Sequence, residues 1–164
     1  MKTATVARSF VHDVALAAAA VAALDLEPIK FKIMNGGEGQ YWSPEKAGAV
    51  EARYRNFLML ALLHQQTKLV PSRDIDLMWH CHILDTVKYA KDCNNVFGRY
   101  LHHYPYFGMG SEADKRDLLA CFELTQNLYR EHFGEAMVPA GSDAEISDCN
   151  QNPPYGTLFQ PEPS

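Results

Sequence analysis

The feature that most narrows the fold is the run from Ser43 to Leu62, where Ser-Pro is followed by apolar residues at three- and four-residue spacing. Ser43 is a natural helix N-cap, and Pro44 suits the first helical position, whose N–H has no intrahelical acceptor anyway. Ala47, Val50, Tyr54, Phe57, Leu58, Ala61 and Leu62 then line one face of a 3.6-residue period. A helix with such a stripe must bury it against other elements. The remaining long patterns are helical too, so the chain reads as all-α, a bundle-like domain of about four main helices.

The other three helices are predicted over residues 4–24, from Ser72 to about Val96 with Gly98 as terminator, and from Ser111 to Phe133 with Gly134 closing it. In the last, Asp114 stands where a capping box usually has Glu, and Leu118, Phe122, Thr125, Leu128, Tyr129 and Phe133 form the stripe. Between the first two helices, Leu26 to Ile33 alternates apolar and charged residues and is predicted as a short extended segment. Asn35 to Gly39 reads as a turn, and Tyr100 to Gly110 as an ordered, aromatic loop. Beyond Val138 the chain is rich in Pro, Gly, Asn, Asp and Ser, which predicts one helical domain over 1–138 and a flexible tail over 139–164.

At 164 residues with 47% hydrophobic content, the chain can bury a core without disulfide or metal staples. Its net charge of −5, with no Lys/Arg run, argues against nucleic acid as a partner, because phosphate binding needs a concentrated basic face. Cys81, Cys93, Cys121 and Cys149 are scattered and form no CxxC pair, so reduced thiols and a cytoplasmic location are expected. The alanine-rich run from Val14 to Leu24 resembles a signal-peptide core. His12 and Asp13 at its edge and the lack of a cleavage motif favour a packed first helix instead, and the run is too short to span a bilayer.

The chemistry concentrates in the third helix, in Asp76-Leu-Met-Trp-His-Cys-His82, and in His102-His103 beyond it. At about 100° per residue, Ile75, Trp79, Ile83, Val87, Ala90 and Cys93 share the buried face, with Asp76 inside it. Lys88, Lys91 and Asp92 are expected to face solvent, and Cys81 falls on the polar side. Asp76 and His80 are an i,i+4 pair that can reach one point beside the helix. A buried carboxylate is costly alone, so Asp76 needs a cation, a metal or several donors. His80 and His82 differ by about 200° around the axis, so one regular helix cannot aim both at the same ion.

Two readings follow. In the first, Asp76, His80, His102 and His103 supply ligands to a divalent transition metal, Fe favoured, with Zn, Cu or Mn as alternatives. His82, Asp85 and Tyr89, one or two turns apart, would then serve as acid–base groups or orient the ligands. Two histidines and a carboxylate leave coordination positions open, which favours oxygen chemistry or hydrolysis on a small molecule or peptide substrate. In the second, the same residues are a hydrogen-bonded core in a non-catalytic interaction module, with Tyr104, Tyr106 and Phe107 packing the loop or presenting an aromatic surface. His64 and His132, each near a helix end, read as structural or solvated. No membrane partner is expected, and oligomeric state is open.

Several stretches together form one recognisable pattern: Leu24 to Lys32, Trp42 to Ala47, Val70 to Thr86, Tyr89 to Cys93, Phe97-Gly98 and Leu101 to Gly108. The pattern resembles the glycine-rich domain-containing protein-like family, in its short bacterial form, over roughly residues 20–135. The resemblance implies an intracellular domain and marks Asp76, Trp79, His80, His82, Asp85, Tyr89, Asp92, Cys93, His102 and His103 as motif positions. It implies no particular reaction. Members often end in a Gly- and Cys-rich tail, whereas here the tail has only Asp148-Cys149 and few glycines.

Overall fold

The computed structural model describes residues 14–16, 18–36 and 41–141, together with the backbone of 157–158. Residues 14–16 and 18–22 are helical, in keeping with the packed first helix; its expected start at residues 4–13 lies outside the described residues. Five complete helices follow: α1 (Glu27–Asn35), α2 (Pro44–Leu63), α3 (Arg73–Leu84), α4 (Thr86–Phe97) and α5 (Glu112–Phe133). Two short strands, β1 (His103–Tyr104) and β2 (Thr157–Leu158), pair antiparallel with His103 opposite Leu158. The fold is mostly helical as expected, but with about six helices rather than four.

The two extra helices correct two expectations. The segment read as extended is α1. Its alternation of Ile29, Phe31 and Ile33 also contains an i,i+4 pair, and only Ile29 and Ile33 are buried, while Phe31 is 66% exposed. Pro28 sits at its start, and the Asp25 carboxylate accepts from the Glu27 N–H at 3.1 Å.

The helix expected from Ser72 to Val96 is instead broken at Asp85, whose carboxylate accepts from the Lys88 N–H and caps α4. The break resets the phase of the second half. Val87 and Ala90, expected inside, are exposed, while Tyr89, Asp92, Cys93 and Val96 are buried. Cys81, expected on the polar side, is also buried.

α2 is the central element, packing on α1, α3 and α5. Ser43 caps it by accepting from the Lys46 N–H at 3.2 Å, and Ala47, Val50, Tyr54, Phe57, Leu58 and Ala61 are buried along it. Ser111 caps α5 through the Asp114 N–H, and Gly134 ends it in the left-handed region at φ 70°. The aromatic core joins these layers, with Phe57 of α2 against Trp79 of α3 at 5.7 Å between centroids.

Two ionic clamps fix helix positions. Arg53 on α2 donates to Asp74 on α3 at 2.5 Å and to the Met137 carbonyl at 3.0 Å. Asp74 also accepts from Ser72 Oγ and the Ile75 N–H, so the first turn of α3 is locked to α2. Arg55 donates to the carbonyls of Val21 and Leu24, satisfying the C-terminal end of the first helical segment. No described helix is long and apolar enough to cross a membrane. The tail residues 142–156 and 159–164, including Cys149, and residues 37–40 of the expected turn lie outside the described residues.

Candidate metal centre

α3 carries Asp76 and His80 one turn apart, and the extended chain at β1 delivers His103 to them. His103 Nε2 lies 3.0 Å from Asp76 Oδ1 and 2.9 Å from His80 Nε2. His80 Nε2 lies 3.6 Å from Asp76 Oδ2. Asp76 is buried, and the two histidines are partly buried. Among the described residues these three form the group of His, Cys, Asp or Glu side chains able to hold a metal ion, with ligand atoms all within 4.8 Å of one another.

The spacing fits shared coordination. Two ligands each about 2.1 Å from an ion lie about 3.0 Å apart at a right angle and about 3.4 Å apart at the tetrahedral angle. An imidazole nitrogen offers one in-plane position, either a proton or a lone pair. His103 Nε2 faces two partners with that one position. Protonated, it can share that proton between the Asp76 carboxylate and a bare His80 Nε2; bare, it can join them as a third lone pair directed at one ion.

The loop that brings His103 is anchored by Tyr89. Its hydroxyl donates to the Leu101 carbonyl at 2.5 Å and accepts from the Trp79 indole N–H at 2.8 Å. Trp79 in turn packs edge-on against His103, with centroids 4.7 Å apart. Tyr89 is buried and desolvation drives its pKa far upward, so it stays a neutral phenol with both hydrogen-bonding roles used.

His82 belongs to a different network. Its Nε2 lies 3.0 Å from Asp92 Oδ2 and its Nδ1 2.9 Å from the Tyr54 hydroxyl. Burial pushes the imidazole pKa down, opposed by Asp92, so the ring is neutral at neutral pH. His82 Nε2–H donates to the carboxylate of Asp92, which leaves Nδ1 to accept from the Tyr54 hydroxyl. Tyr54 itself is fully buried and its pKa is well raised by desolvation. Lys88 closes the chain at the surface, 2.9 Å from Asp92.

Of the residues singled out in the sequence, then, Asp76, His80 and His103 come together. His102 does not: it is exposed and leans on Tyr100, with centroids 4.9 Å apart, because successive side chains of extended backbone alternate sides. His82 and Tyr89 sit in contact with each other at 4.9 Å between rings, and Asp85 is an exposed helix cap. Sequence reasoning missed Tyr54 and Asp92 as His82's partners. The signal for Asp92 was its i,i+4 spacing from Lys88, hidden by phasing α4 as a continuation of α3. Tyr54 was visible only as a polar-tipped residue on a buried stripe.

The model of the UCP032817-like family matches residues 27–128, which include α1 to α4, the His102-His103 loop and most of α5. The chain belongs to that family. The chain also resembles two plant proteins: Glycine-rich domain-containing protein 1 and Glycine-rich domain-containing protein 2 of Arabidopsis thaliana are each 33% identical to it over 95 residues. The matched region covers 56% of this chain but only 11% and 12% of the two plant proteins. The resemblance read from the sequence motifs is thereby borne out. No solved structure matches this UCP032817-like chain.

Proposed function

We propose that this chain is a metal-dependent protein whose Asp76, His80 and His103 hold a divalent transition ion, and that the bound ion serves an enzymatic step on a small molecule or peptide. The observation that carries the reading is the position of His103 Nε2, within hydrogen-bond distance of both Asp76 and His80. Two imidazoles and a carboxylate suit Fe(II) best and also Zn(II) or Mn(II). Such an ion supplies Lewis acidity and a place to activate oxygen or water when bound. The chain's own residues hold the ligands: Tyr89 and Trp79 fix the His103 loop, and the Arg53–Asp74 pair fixes the start of α3. His82 with Tyr54 and Asp92 is a separate hydrogen-bonded array, suited to bracing α3 against α2 and α4.

The competing reading is an interaction module, favoured by the exposure of Tyr104, Tyr106 and Met109 on the same loop. Elemental analysis of untagged protein, grown in metal-supplemented medium, separates the two. Near-stoichiometric metal in wild type that drops by about one equivalent in His80→Ala supports the metal reading. Normally folded wild type without metal overturns it.

A further inference from the structure

A second pair of histidines converges where two of the longest helices end. His64 is the C-cap of α2, and His132 lies in the last turn of α5. Their Nε2 atoms are 2.8 Å apart and the rings meet edge to face, with centroids 5.0 Å apart. Neither residue belongs to the Asp76 group.

Three observations bear on what this pair can hold. The Nε2 separation of 2.8 Å falls short of the about 3.0 Å of ligands at a right angle and the about 3.4 Å of tetrahedral ligands, so the rings need part by only about 0.2 to 0.6 Å to share one ion. Both side chains stand at helix C-termini, where the last carbonyls create a negative potential that favours a cation. His132 is exposed and His64 partly so, which lets a hydrated ion reach the pair and keep its remaining ligands as water.

We propose that His64 and His132 form a second, exchangeable site for a divalent ion of the imidazole-preferring class, Zn(II) or Cu(II), that staples the end of α2 to the end of α5. A hydrogen bond between the two rings accounts for the same distance, so the test must separate bond from ligand. His132→Gln does so: the amide can still hydrogen-bond to His64 but is a poor ligand for Zn(II).

The experiment is calorimetric titration of chelator-stripped, full-length, untagged protein with Zn(II), for wild type, His80→Ala, His132→Gln, His64→Ala and the double variant His80→Ala/His132→Gln. Circular dichroism confirms that each is folded. The expected result is a Zn(II)-binding event retained in His80→Ala and weakened at least about tenfold in His132→Gln and in the double variant. The urea midpoint of His80→Ala should rise with Zn(II), and that of the double variant should not. If His132→Gln binds Zn(II) as wild type does, the site is overturned. Should the Asp76 centre bind nothing, one event sensitive to His132 and not to His80 still supports the pair. Because His132 is exposed, His132→Gln keeps the test decisive even if His64→Ala does not fold.

Discussion

His102 and His103 are adjacent in the chain yet have different partners: His103 reaches Asp76 and His80, whereas His102 leans on Tyr100. The pair therefore provides an internal control for the proposed metal centre. Asp76→Asn, His80→Ala and His103→Ala should each lower affinity for the bound ion by at least about tenfold, equivalent to about 1.4 kcal/mol. His102→Ala should leave it within about twofold. Competition with a chelator of known affinity, run on all four variants, measures this. Equal losses in His102→Ala and His103→Ala would remove the geometric basis of the site.

Tyr89 is placed to hold the loop that carries His103 and is not itself one of the three candidate ligands. Tyr89→Phe deletes the hydroxyl that joins the Trp79 indole to the Leu101 carbonyl and leaves both groups buried without that partner. The expected cost is about 2 kcal/mol of stability, read from urea unfolding. Metal affinity should fall as well, by less than in His103→Ala, because the ligand remains but is less well held. Lost stability with unchanged affinity would restrict Tyr89 to the core.

His82 gives the opposite expectation. It braces α3 through Tyr54 and Asp92 and lies outside the Asp76 group. His82→Ala should cost about 3 kcal/mol by opening a cavity and stranding Tyr54, yet retain the ion. Asp85→Ala should cost only about 1 kcal/mol, the loss of the α4 cap. Metal content measured beside unfolding free energy distinguishes these roles. Loss of the ion in folded His82→Ala would join the two networks into one site.

These contrasts show what could be read from the residues alone. The about 200° between His80 and His82 already required two separate environments, and the structure supplies both. The caps at Ser43 and Ser111 and the stripes they begin were legible because side-chain capping and 3.6-residue periodicity are local properties. The break at Asp85 was not, because Leu84-Asp-Thr-Val87 fits a continuing helix as well as a cap, and tertiary packing decides. α1 was misread for a related reason. Three alternating apolar residues satisfy both periods, and only the burial of Ile29 and Ile33 without Phe31 selects the helix. That His103, rather than His102, reaches Asp76 depends on loop anchoring by Tyr89, a long-range contact absent from any local pattern.

Glu51 makes the acid stability of the fold testable apart from any metal. It accepts from Arg55 at 2.6 Å and from Lys30 at 2.7 Å, and Arg55 also holds the carbonyls that end the first helical segment. Burial raises its pKa, but the hydrogen bonds and charges of Lys30 and Arg55 outweigh burial, so the folded value lies below the ordinary 4.5. A carboxyl depressed in the folded state stabilises it fully above its unfolded pKa. That contribution fades as pH falls from about 4.5 through the folded value, because protonation is then easier in the unfolded chain. Glu51→Gln should therefore cost about 1 kcal/mol at neutral pH and flatten the dependence of stability on pH below about 4.5. Urea midpoints measured from pH 3 to pH 7 would show the wild-type and variant curves converging toward low pH. Parallel curves would mean that Glu51 contributes packing and hydrogen bonding, with no net charge effect on folding.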